Sequence, residues 1–234
     1  MKHQYFGDVN DYRKYGLLRI VQRETGLRLG VWWMLTPDDG RSDGNSTSYL
    51  GEPKRWREYD PPLFDALAAA VPAGRSIAAV MERGLLGDAL FVDALVPDNA
   101  VERATLFASA RASLRAAEIV FLDPDNGLEI PSCAPGRKGS SKFALQREIE
   151  ELFAAGHSIL VYQHFPREER LAFVRRMAAQ FRSVMPASAV GCFQTSNVAF
   201  FLLSQPCHAA ALRVSADRVL ASWGDEITPW FDSP

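Results

Sequence analysis

The sequence predicts an α/β protein with a mostly parallel sheet, helices between the strands and a C-terminal antiparallel β-hairpin. Three observations predict it. Apolar runs rich in β-branched and aromatic residues recur at 27–35, 117–122 and 157–165, each breaking into a polar stretch. Segments with helical spacing separate them, and that alternation is the pattern of a parallel sheet. Two short apolar runs, 189–194 and 198–204, flank Thr195-Ser196-Asn197 and read as a hairpin.

In chain order, a helix is expected from an N-cap at Asn10 or Asp11 through Leu17, Leu18, Ile20 and Val21, with Gly26 as its stop. The first strand, 27–35, runs into a glycine- and aspartate-rich loop at 36–45. A proline-flanked connector, 51–62, leads to a helix at 63–71. Short strands are expected at 76–82 and 89–96, the second carrying Asp93. The segment 101–116, rich in Ala, Arg, Leu and Glu, reads as a helix. The basic loop 136–142 leads into a helix starting near Ser141 and running through 143–155 to Gly156. Residues 167–181 and 214–223 are further helices.

With 234 residues the chain fits one α/β domain. Its 47% hydrophobic and 23% charged residues make an ordinary globular balance with ample core material. A net charge of -2 excludes a purely electrostatic nucleic-acid binder but leaves room for an enzyme with a local basic patch. Cys133, Cys192 and Cys207 form neither a metal pair nor a disulfide framework. No apolar run reaches membrane-spanning length, and Met-Lys-His-Gln-Tyr lacks the apolar region of a signal peptide. A cytoplasmic protein is expected, without a membrane partner and as a monomer or homodimer.

The chain is organised around 117–129. Its strand ends in Asp123-Pro124-Asp125-Asn126-Gly127, which cannot continue a ladder because Pro lacks a donor and Asn-Gly favours a tight turn. Ligands of open α/β sheets bind beyond the carboxyl ends of strands, so Asp123, Asp125, Asn126 and Glu129 form a candidate site. A calcium loop is excluded, since the glycine comes one place early and the last ligand position is Ala134. Asp93, carried on the expected strand 89–96, has the place of a ribose-binding carboxylate. Arg137, Lys138 and Lys142 sit on the one compact basic loop and suit substrate phosphates. His157 and His164 point to opposite faces of their strand, a poor arrangement for a shared metal.

The motif order resembles the bacterial 23S ribosomal RNA adenine-N6 methyltransferase J family. The N-terminal H-A-G-N-x-A-D-V-x-K-H pattern of that family is similar to Tyr5-Phe6-Gly7-Asp8-Val9-Asn10-Asp11-Tyr12-Arg13-Lys14-Tyr15. Its cofactor loop falls on Leu35-Thr36-Pro37-Asp38-Asp39-Gly40, without the Gly-x-Gly. Its D-P-P-Y turn falls on Asp123-Pro124-Asp125-Asn126, where Asp125 replaces the second Pro and Asn126 the aromatic residue. Its next strand resembles 159–165, and its final hairpin 200–206.

The resemblance implies a Rossmann-like fold with S-adenosylmethionine as cofactor, held by Lys14, Tyr15, Thr36, Asp38 and Asp93. It implies a nucleic-acid substrate, RNA in the first place. Asp123 would accept a hydrogen bond from the target amine, Pro124, Asp125 and Asn126 would complete the catalytic turn, and stacking would fall to Phe165, Phe143 or Tyr162. Two other functions fit the same residues. One is a magnesium-dependent nuclease or phosphohydrolase using Asp123, Asp125 and either Glu129 or Asp8. The other is an inactive binding module of the same fold.

Overall fold

Apolar residues alternate along the strands and so divide the protein between two cores. In the computed structural model, which describes residues 1–40 and 44–232, Leu29, Val31, Ile119, Phe121, Leu160, Phe200 and Leu202 face one core. Their neighbours Trp32, Val120, Leu122, Ile159, Val161, Phe201 and Leu203 face the other. This is the period of two that a pleated strand imposes, with both faces covered.

The described elements are α1 (Val9–Thr25), β1 (Leu29–Trp32), α2 (Pro53–Trp56), α3 (Pro61–Ala70), α4 (Ala78–Glu82) and β2 (Leu90–Val92). Then follow α5 (Ala100–Ser113), β3 (Ile119–Leu122), β4 (Gly127–Leu128), β5 (Phe143–Ala144), α6 (Gln146–Ala154) and β6 (Ser158–His164). The chain closes with α7 (Arg170–Val184), β7 (Ala189–Gln194), β8 (Val198–Ser204), α8 (Ala209–Trp223) and β9 (Thr228–Phe231). Helices α1, α3 and α8 line the first core. Helices α5, α6 and α7 line the second.

The main sheet has the order β2-β1-β3-β6-β8-β7-β9. Its β2, β1, β3 and β6 are parallel neighbours, whereas β8 pairs antiparallel with β6 and β7, and β9 antiparallel with β7. The sheet is therefore mixed rather than mostly parallel. The hairpin does not close its edge, because β8 lies inside the sheet. Every residue of β8 is buried, and such an unbroken apolar run is what an interior strand requires. The edge belongs to β9, where Pro229 lies opposite Phe193. An edge strand tolerates a residue that cannot donate to the ladder.

Other differences are local. The segment 76–82 is a turn and the helix α4, not a strand, since Ala78, Ala79, Met81 and Glu82 favour a helix once Ser76 Oγ accepts the Ala78 amide. The cap of α1 is Asp8, whose carboxylate accepts the amides of Asn10 and Asp11 at 2.8 and 2.9 Å. Near Ser141 the chain makes only a 3-10 turn, Ser140–Lys142, and α6 begins at Gln146. Among the described residues no helix is long and apolar enough to cross a membrane.

Candidate functional site

The parallel register brings the carboxyl ends of β1, β3 and β6 to one edge. Chain order reverses between β1, flanked on its other side by β2, and β3, which is where α/β sheets open a crevice. A cavity of about 340 Å³ lies on the same edge, at the ends of β3 and β6. It is lined by Met1 and Tyr5, by Asp8, Asn10, Asp11 and Lys14 of the α1 region, by Gly44, by Asp123–Asn126, and by Tyr162 and His164 of β6.

Lys14 is the centre of the ion-pair network. Its Nζ donates to Asp11 Oδ1 and to Asp123 Oδ2, both at 2.7 Å, and all three side chains are buried. The rings of Tyr15, Trp33 and Tyr162 surround the ammonium at 5.6, 5.9 and 5.7 Å. Burial disfavours the charge, yet Asp11 and Asp123 outweigh it and hold the lysine above its ordinary range. Such a lysine is no nucleophile or Schiff-base former at neutral pH. Asp123 is pushed upward by burial, with Lys14 and the Met1 amine opposing.

Asp125 points toward cations. Its Oδ2 accepts Thr36 Oγ1 at 3.2 Å and lies 3.4 Å from Lys2 Nζ and 3.8 Å from Lys142 Nζ. Its Oδ1 is buried without a hydrogen-bond partner among the described residues and lies 3.8 Å from the Met1 amine. That amine donates to the main-chain oxygens of Asp123 and Met34 at 3.0 and 3.3 Å. On β6, Tyr162 and His164 meet edge to face at 5.1 Å. Burial holds His164 below the usual imidazole value, against the pull of Asp125.

The structure thus brings Asp123, Pro124, Asp125, Asn126 and Lys14 to one cavity, with Thr36 bonded behind Asp125. Tyr15 backs the network, its hydroxyl donating to Asp11 Oδ2 at 2.9 Å, and is not among the cavity's lining. Lys14, expected at a cofactor, is engaged instead with two carboxylates. Asp38 accepts the Gln4 amide at 3.2 Å. Asp93 is exposed beyond β2, outside the lining. Arg41, Ser42 and Asp43 of the 36–45 loop lie outside the described residues.

Arg137 and Lys138 are exposed and also stand outside the lining, while Lys142 reaches Asp125. Glu129 turns away and accepts the Gln146 amide at 2.7 Å. Of the three stacking candidates only Tyr162 lines the cavity, for Phe165 packs on Phe173 at the second core. Among the described residues no group of three or more His, Cys, Asp and Glu side chains is arranged to hold a metal ion. The carboxylates that a magnesium ion would need already face Lys2, Lys14 and Lys142, so the donor set does not fit one. His157 is buried apart from the cavity, its Nδ1 2.8 Å from Ala117 O.

Sequence reasoning missed Lys2, Tyr5 and the role of Asp11. The available signal was spacing, since Asp11, Lys14 and Tyr15 fall three and four places apart and share a helical face. Compared with protein-family models and with curated proteins, the chain matches none.

Proposed function

We propose that the chain is a methyltransferase using S-adenosylmethionine and acting on the exocyclic amine of a nucleic-acid base, RNA in the first place. The observation that carries this reading is the sheet. A run of parallel strands ends in a hairpin whose β8 lies antiparallel between β6 and β7, and the acidic turn stands at the crevice beside β1. The likeness to Rossmann-like methyltransferases is one of arrangement, and the site chemistry must bear the rest.

The chemistry is compatible. The cofactor supplies a methyl group on a positively charged sulfur, open to attack by the amine nitrogen. The carboxylates of the cavity are largely met by Lys2, Lys14 and Lys142, but the buried Oδ1 of Asp125 lacks a hydrogen-bond donor and is an acceptor left for one from the cofactor. Asp93, at the end of β2, holds ribose hydroxyls in this reading. Asp123 Oδ2 is engaged by Lys14, and its Oδ1 makes no hydrogen bond among the described residues, so it accepts an N–H of the target amine. Holding that nitrogen in line with the methyl group supplies most of the rate. Lys142, beside Asp125, and Arg137 and Lys138 on the same loop neutralise substrate phosphates. An amine-bearing base must leave its stack to reach such a cavity.

Calorimetry with S-adenosylmethionine tests the reading. One-to-one binding is expected, weakened roughly tenfold or more by Asp125→Asn and by Asp93→Ala, the loss of a charged hydrogen bond. No heat of binding at millimolar cofactor would sink it.

A further inference from the structure

We propose that Lys14 and Asp11 are positioning residues for Asp123: they fix its carboxylate with Oδ2 bound and Oδ1 presented to the target amine. This deepens the methyltransferase reading and rests on it for the identity of the amine.

The geometry leaves Lys14 no other task. Its ammonium meets Asp11, Asp123 and, at 3.9 Å, the Met1 sulfur, and three aromatic rings close the space around it. A ligand has no free donor of Lys14 to use. Asp11 is itself immobile, because its other oxygen accepts Tyr15 Oη at 2.9 Å and the Gly7 amide at 3.1 Å. The chain Gly7 and Tyr15 to Asp11 to Lys14 to Asp123 therefore ends on one carboxylate at the cavity wall.

The electrostatics agree with that geometry. Without Lys14, burial, the largest influence on Asp123, favours its protonated form even when the charge of Asp11 is removed with it. The other groups facing it are Asp125 at its own turn, the Met1 amine from the start of the chain, Asp8 and Tyr15 of the α1 region, and Tyr162 and His164 from β6. A protonated carboxyl offers an O–H donor where an acceptor is needed.

The test compares adenosine with purine riboside, the same ring without the amine, by NMR titration. Wild type is expected to prefer adenosine roughly tenfold or more. Lys14→Met alone strands two buried carboxylates, so the variant is Lys14→Met with Asp11→Asn, which removes one charge of each sign. It should lose the preference at pH 7 and regain it as the pH is raised. A double variant that keeps the preference at pH 7, a preference that fails to return while the protein stays folded, or a wild type without preference would each overturn the proposal. S-adenosylhomocysteine binding is measured on the same samples. Its absence, with the preference behaving as expected, removes the methyltransferase reading and leaves the positioning role standing. Its presence, with the preference unmoved in the double variant, does the reverse.

Discussion

At the scale of single residues the charge state of Asp8 sets a measurable pH dependence. Capping favours the carboxylate, but burial and the neighbouring Asp11 outweigh the two amide hydrogen bonds and Lys14, and push it up to about 7. An unfolded aspartate ionises near its ordinary 3.8. The native state thus binds more protons than the unfolded chain between about pH 4 and 7, and the stability Asp8 adds at low pH is lost as pH rises through that window. Asp8→Asn keeps a good cap without the titration. Urea denaturation should show wild type losing stability relative to Asp8→Asn from pH 4 to 8, by about 1 kcal/mol or more. Parallel curves for the two proteins would refute this assignment.

At this scale the sequence was legible in part. Asp123-Pro124-Asp125-Asn126 announced a site because Pro and Asn-Gly cannot continue a strand. Gly127, at φ +102°, carries the chain out of the turn into β4, and a Cβ there would lie 2.4 Å from Gln163 Oε1, the atom that accepts the Leu128 amide at 2.7 Å. That Lys14 meets Asp123 across 109 residues has no local signature.

Among elements, the basic loop shows how a buried ion pair holds an irregular segment. Arg103 and Glu148 form a two-armed pair at 2.7 and 2.8 Å. The same guanidinium donates to the Ser140 and Phe143 carbonyls, and Asp98 accepts the amides of Gly139 and Ser141, both at 2.8 Å. The loop is clamped from α5 and from the turn before it, with Lys142 O accepting the Asn126 amide at 2.8 Å. Arg103→Met or Glu148→Gln alone leaves a buried group unpaired and should cost about 3–5 kcal/mol, whereas Arg103→Met with Glu148→Met should recover only part of it, because the Ser140 and Phe143 carbonyls stay without their donor. Denaturation curves measure the cost. Amide exchange should quicken at Ser140–Phe143 in the single variants before it does in β3 or β6.

Over the whole molecule, the layer of α1 and α8 over the first core rests on close approach. A Cβ on Gly16 would come within 2.3 Å of the Trp223 ring, which is fully buried and packs at 4.9 Å from Tyr12. Helix propensity alone favours Gly16→Ala by about 1 kcal/mol. Displacing Trp223 costs more, roughly 1–3 kcal/mol, so the variant should melt below wild type. A raised melting temperature would show that the two helices have room to part.

The sequence by itself determined the long apolar strands at the centre of the sheet, the long helices between them, and that the chain's polar break falls after the strand at 119–122, while the short segment 76–82 went to a helix against its expected strand. These follow from periodicity and turn chemistry, which act over a few residues. It did not determine that the sheet is mixed, because pairing direction is decided by which strands lie side by side. Only the tertiary structure placed β8 between β6 and β7, added β9 at the edge, and set Lys14 between Asp11 and Asp123. A buried charge is stabilised by partners that folding brings from distant parts of the chain, and no local pattern records that meeting.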